Sequence, residues 1–582
     1  MKLPILNEIP TTREMIDAFG GYNHNLRIGE GEFYDMKNLT STDYPVLSPR
    51  QHRGVYTSPT NPQGMIEKDA LCFVDGRYFV MNEYRIDMGL STREDDCPKT
   101  LVSMGAYVII MPDKMYINTK KLSDYGKIEA TFDSSGDTSF ELCKIDGSAY
   151  KNAPAQDTAP ENPKDMDLWI DISSVPNALK QYSATNSMWI SIATTYIKIT
   201  FAGVSALPFN TGDGITISGI ENEELSDLNN TMVIQEVGAD YIVVIGILKS
   251  KITIKEKISI KRLMPEMDFI IESENRLWGC RYGEDVNGNI VNEIYASKLG
   301  DFKNWNTFAG ISTDSYAATV GTDGQFTGAI THLGYPIFFK ENCMHKVYGN
   351  FPSNYQIQTT HCRGVQKGCS KSLSIVNEVL YYKARSAVCV YDGSLPVEIS
   401  SALGDMTYSD AVAGTIRNKY YISMVDADGA YHLFVYDTKR GLWHREDNTH
   451  VIDFCTCRGE LYYIEAGDTK IKTILGSGTP DTSVISWMAE SGVIGTNLPD
   501  KKYISRLDVR MLLTVGTRVY FYIEYDSCGK WEHLFTMTGI RLQSFAVPIR
   551  PRRCDHMRIR IEGDGEAKIF SICKTIEQGS DI

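Results

Sequence analysis

Short apolar runs of four to six residues, separated by pairs of turn-forming residues, recur along this chain in groups of three or four. Residues 70–74 and 77–81 flank Asp75-Gly76, and residues 107–111 and 114–117 flank Pro112-Asp113. An Asp-Gly pair tolerates the positive φ of a tight turn, so such paired runs predict antiparallel hairpins. The unit returns at 269–297, 327–348, 374–391, 410–445 and 451–474. The starts lie roughly 40 to 60 residues apart, which with three or four strands per unit is the size of a propeller blade. No WD or kelch signature accompanies it. One unit cannot bury its apolar face alone, whereas a ring of units shares a core. The expected fold is all-β, a six- or seven-bladed β-propeller over residues 66–122 and 266–478.

Three stretches fall outside that rhythm. Residues 1–65 are punctuated by Gly20, Gly21, Pro45 and Pro49 and read as an extended N-terminal arm. The arm carries Phe19, Leu39, Tyr44, Val46 and Leu47, so it is expected to gain order against a blade or a neighbouring subunit. Phe19, Tyr44 and Leu47 are therefore candidate partner-docking residues. Residues 123–265 contain a loop rich in Pro and Ala (153–163) followed by short strands, and predict a small inserted β-barrel. Residues 479–582 alternate apolar and polar residues between glycine turns, as in a C-terminal β-sandwich. A length of 582 residues predicts two to four domains, in keeping with this division.

The net charge of −14 is unevenly spread. Residues 501–560 hold twelve Lys/Arg against five Asp/Glu, a surplus of +7, so the rest of the chain carries −21. An acidic body with a basic end suits oriented assembly. Arg550, Arg552 and Arg553 are the candidates for docking an acidic partner. No run of about 18 apolar residues is present, so no membrane insertion is expected, and the start has no signal-like apolar stretch. The thirteen cysteines are scattered. Cys362 and Cys369, or Cys455 and Cys457, do not have zinc or redox spacing, and reduced thiols are expected.

A search for chemistry finds no GxSxG, HExxH, Walker A or GxGxxG motif. The stretch from Asp285 to Asn289 suggests a calcium loop but lacks its glycine and closing glutamate, and reads as a hairpin tip. The Asp-box turns of sialidase propellers are absent. Trp278, Trp305 and Trp443 fall where large rings fill a propeller core rather than form a sugar platform. No catalytic residue, cofactor or metal site is expected, and the chain is expected not to be an enzyme.

Three stretches resemble the β-propeller proteins of phage head–tail and tail assemblies, the tail-nozzle and packaged-DNA-stabilisation class. The first holds Phe19-Gly20-Gly21, Asn38 and Leu47-Ser48-Pro49-Arg50. The second joins Asn275-Arg276-Leu277-Trp278 to residues 294–305, ending in Asn304-Trp305. The third runs from Pro336 through Tyr348-Gly349 and Tyr355 to Tyr391-Asp392-Gly393. Together they cover roughly half the chain, and their motifs are turns and core positions. The resemblance implies a virion structural component assembled in the host cytoplasm. Its copies would form a homo-oligomeric ring, with a hexamer favoured, below a portal and adaptor. Packaged double-stranded DNA would pass through without specific binding. The −21 outside residues 501–560 adds the expectation of a lumen lined by Asp and Glu, which would repel the phosphate backbone. The alternative from the same kind of particle is a receptor- or glycan-binding tail-tip propeller. A cellular propeller, enzyme or scaffold, is the third reading.

Overall fold

A computed structural model describes residues 11–92, 98–285, 288–308, 310–482, 484–496 and 500–578. The all-β expectation holds: strand makes up 51% of the chain and helix 3%. Among the described residues helix is confined to four short 3-10 turns. No helix there is long and apolar enough to cross a membrane.

Seven antiparallel sheets, at 62–87, 100–127, 269–319, 328–361, 374–398, 408–447 and 451–480, follow one another around a closed circuit. Pro62–Lys68, the first strand of the first sheet, touches Thr100–Met104, which touches Phe269–Ser273, which touches Gly328–His332. The last of these meets the turn Ser370–Ser372 that leads into Ser374–Val376. That strand meets Tyr408–Ile416, Tyr408–Ile416 meets Val451–Cys457, and Val451–Cys457 returns to Pro62–Lys68. The fold is a β-propeller. Its core lies between neighbouring sheets: Met65 and Phe73 of the first pack with Tyr462 and Ile464 of the seventh, where the circuit closes.

Local sequence explains the repeat. In sheets three to seven the first hairpin has a two-residue turn with left-handed backbone. The turns are Glu274-Asn275, Leu333-Gly334, Asn377-Glu378, Arg417-Asn418 and Arg458-Gly459, with φ between 48° and 80° wherever it is positive. Such turns match the right-handed twist of the strands they join.

The insertion leaves the propeller after Tyr125–Lys127 and returns at Phe269–Ser273, between the second and third sheets. Two of its sheets wrap one apolar core that includes Phe140, Ile199, Phe201 and Val244. A third, small sheet spans 155–191. At the C-terminus two further sheets bury their facing residues together, among them Leu507, Val509, Phe521 and Ile561.

The N-terminal region differs from an extended arm. Thr11–Ile16 pairs with Ala567–Gln578, and Glu32–Lys37 pairs with Ser486–Ser491, so both C-terminal sheets contain N-terminal strands. Gly54–Thr57 completes the seventh propeller sheet by pairing with Ile471–Thr473 and Thr479–Pro480. The reason is apolar content: Phe19, Tyr22, Phe33, Met36, Leu39 and Leu47 are all buried against the rest of the chain. Left extended, they would expose surface worth roughly 25 cal/mol per Å2 on burial.

Candidate functional site

Residues 19–53 run along a seam between the sixth propeller sheet and the C-terminal sheets, and this seam gathers the polar chemistry of the molecule. Gly21, at φ 82°, lies so close to the strand Leu442–Asp447 that a Cβ there would sit 2.4 Å from the Trp443 carbonyl oxygen. Tyr22 then packs on Phe434 at 5.5 Å. Asn38 links three parts of the chain. Its N–H donates to the Glu446 carbonyl at 2.6 Å, and its Nδ2 donates to the Ser486 carbonyl at 2.8 Å. Its Oδ1 accepts from Arg50 Nε at 2.8 Å. Arg445 reaches Asp35 at 2.6 Å, and Ser41 Oγ donates to Asp437 at 2.6 Å.

At the centre of the seam Arg53 pairs with Glu446 and Asp447, each at 2.8 Å, and donates to Thr449 Oγ1 at 2.9 Å. Both the Arg53 and Glu446 side chains are 4% exposed. Burial works against the charge of Arg53, but Asp447 and Glu446 outweigh it and hold its pKa well above the ordinary value. Burial likewise opposes ionisation of Asp447, yet Arg53 and the Thr449 hydroxyl bring its pKa below the usual carboxylate range. Arg50 stands in a second rank, 3.8 Å from Glu446 and 3.6 Å from Asp447.

The residues proposed for docking separate into two groups. Phe19 is 3% exposed, stacks on Phe33 at 6.0 Å and donates its N–H to the Pro45 carbonyl. Leu47 is 3% exposed and forms a two-way backbone bridge with Ile569. Neither side chain is available to a partner, because the chain's own C-terminal sheets have taken that role. Tyr44 is 41% exposed, with the Arg440 guanidinium 5.3 Å from its ring centroid. Arg550, Arg552 and Arg553 lie on an exposed connection between Gln543–Val547 and Met557–Asp564. Arg552 is already answered by Glu532 at 2.8 Å and lies over Tyr525. Arg558 and Arg560 both reach Glu490, so part of the basic surplus is neutralised within the chain.

Two of the cavities on the propeller bear on ligand binding. One, of about 190 Å3, borders the seam and is lined by Thr40, Thr42, Arg417, Lys419, Lys439 and Arg440, among others. The other, of about 130 Å3, lies between the third and fourth sheets and holds Glu274, Tyr335, Asn350 and Tyr355 beside Trp278. Trp278, Trp305 and Trp443 are themselves buried at 2–3% exposure, as packing residues. The twelve described cysteines are free, and burial pushes Cys72 up to about 12. Among the described residues no cluster of His, Cys, Asp and Glu could hold a metal ion. Asp285 and Asn289 sit where Arg276–Glu284 turns back into Ile290–Ala296; residues 286 and 287 lie outside the described residues.

No family model matches the sequence, and no curated protein matches it. Solved structures similar to the chain include an exo-β-1,3-galactanase from Phanerochaete chrysosporium, at 10% identity and TM-score 0.21, over 52% of this chain and 94% of that one. A Trypanosoma rangeli sialidase has 10% identity and TM-score 0.21, over 97% and 96%. An acylaminoacyl peptidase from Pyrococcus horikoshii has 12% identity and TM-score 0.23, over 54% and 55%. The expectation that the chain is not an enzyme is corrected by this finding, since these similar structures are enzymes. At such identities they transfer neither substrate nor catalytic residues to this chain.

Proposed function

We propose that the protein is a structural component of a tailed-phage virion, a tail-nozzle or head–tail conduit subunit that works as a ring of copies, six being favoured. The observation that supports this reading is the seam. Residues 19–50, one of the stretches that resemble the tail-nozzle class, pack on the sixth propeller sheet and supply strands to a C-terminal sheet. Cross-bracing of this kind, with strands from both chain regions in one sheet, suits a subunit that bears load at a pressurised vertex. The remainder of −21 outside residues 501–560 suits a lumen that repels the phosphate backbone, since Lys/Arg contacts would hold DNA by counterion release. Portal or adaptor proteins would meet the exposed Arg550 and Tyr44. The test is complementation. Particles assembled without the protein should lose packaged DNA to nuclease, and adding the purified chain should restore retention. Particles that keep their DNA without it would refute the conduit.

A second reading, a glycan-binding tail-tip propeller, draws on the cavity where Glu274, Tyr335 and Tyr355 converge. Aromatic faces beside a carboxylate suit a sugar ring. That reading expects particles lacking the protein to retain DNA but fail to adsorb, and expects Tyr335→Ala to abolish glycan binding.

A further inference from the structure

The 190 Å3 cavity at the seam sets a group of cationic side chains beside the apolar Ile416, Ile474 and Leu475. Arg50, Arg417, Lys419, Lys439 and Arg440 line it, against only two carboxylates, Asp437 and Glu446. Both carboxylates are already paired, Asp437 with Arg440 of the same cavity. Asp437 accepts from Ser41 Oγ at 2.6 Å and from Arg440 at 2.7 Å, and takes the N–H groups of Lys439 and Arg440 at 3.1 Å. Glu446 is held by Arg53 at 2.8 Å. The two hairpin turns of the sixth sheet supply the other cations, and Arg417 and Lys439 are exposed at the mouth.

Lys419 is the telling residue. Its Nζ donates to Thr40 Oγ1 at 2.6 Å and Thr42 Oγ1 at 3.1 Å, both neutral, and no carboxylate among the described residues lies within ion-pair distance. Burial draws its pKa below the ordinary lysine value, against the pull of Glu446 and Asp437. A recessed ammonium with no carboxylate in direct contact is favoured by an anion that can reach it. The Thr40 and Thr42 hydroxyls, 3.0 Å apart, share one proton between them and leave another to donate. An ammonium, a hydroxyl and a guanidinium converging on one space form a receptor for a compact oxyanion.

We propose that this cavity binds the oxyanion group, phosphate or carboxylate, of a small ligand, with Lys419 and Thr42 at its base and Arg417 and Lys439 at its mouth. The site gathers cationic side chains in a chain whose net charge is −14.

The experiment is calorimetric titration of the full chain with inorganic phosphate, with sodium chloride at matched ionic strength as control. Glucose 6-phosphate and glucuronate then separate a phosphomonoester from a sugar acid. Saturable binding of one of these probes is expected, weakened at least tenfold in the double variant Arg417→Asn/Lys439→Gln. Asn suits the left-handed backbone at position 417, where φ is 55°, so that variant keeps the turn. Lys419→Met should abolish binding while leaving the chain folded in anion-free buffer. The proposal is overturned if no probe binds above the chloride control, or if the double variant binds as tightly as the parent. It is equally overturned if the same residues are needed only for duplex DNA.

Discussion

Replacing Arg53 by methionine probes the seam most sharply. The substitution keeps most of the side-chain volume but strips the charge facing Glu446 and Asp447, which are 2.8 Å away. Glu446 is 4% exposed in its side chain and cannot turn to water. Removing one partner of a buried pair costs about 3–5 kcal/mol. Arg50, at 3.8 Å and 3.6 Å, takes over part of the pairing, so the low end, about 3 kcal/mol, is expected. Adding Glu446→Gln removes one stranded charge, and the double variant should lose less than the two single losses combined. The pH dependence has a definite sign. The folded pKa of Asp447 lies below its ordinary value, so Asp447 adds stability above the unfolded carboxylate pKa, and that contribution is lost as pH falls through the folded value. Arg53→Met forfeits the contribution. The gap between parent and variant should therefore be widest near neutral pH and narrow below about pH 4. Urea unfolding followed by tryptophan fluorescence at several pH values measures this. A loss under about 1 kcal/mol, or one independent of pH, would refute a seam held by this network.

Gly21→Ala should cost at least about 2 kcal/mol, through left-handed backbone strain and the contact with the Trp443 carbonyl, as read from the same unfolding transition. Leu333→Asn should stabilise the chain by about 0.5–1 kcal/mol, because Leu333 holds φ 50° in a two-residue turn while 51% exposed, and Asn-Gly is favoured there. Deleting residues 1–50 should disrupt the C-terminal sheets themselves, since the edge strand Thr11–Ile16 of one and the strands Gly21–Tyr22 and Glu32–Lys37 of the other are removed. Circular dichroism and limited proteolysis of the truncated chain would show exposed sheet edges, and a native-like protease pattern over 486–578 would contradict this.

The propeller was legible because its signals are local. Residues 70–81 form a hairpin, as expected, but its two-residue turn is Gly76-Arg77, one place later than the Asp75-Gly76 pair suggested, and Asp75 is a strand residue opposite Tyr78. The first hairpins of sheets three to seven were harder to align as repeats, because five different residue pairs occupy the same left-handed turn. What the sequence could not reveal was pairing across the chain. Thr11 opposes Glu577, and Gly54 opposes Thr473, with nothing near either position to specify the register. The Arg53 network is equally long-range, its partners lying 393 residues away. Phe19 and Leu47, expected to dock on a blade or a neighbouring subunit, are instead buried with residues from the far end of their own chain, for the same reason. The basic surplus over 501–560 overstated the free charge, because Glu490, which answers Arg558 and Arg560, lies just outside that window.

The conduit reading meets its most direct test in an electron cryomicroscopy reconstruction of the intact particle. The expected result is a ring of copies around the tail axis, each density accommodating a seven-sheet propeller with its seam-bound C-terminal sheets, and Asp and Glu facing the channel. A particle whose axial densities cannot hold this fold, or a channel walled by Lys and Arg from this chain, would contradict it.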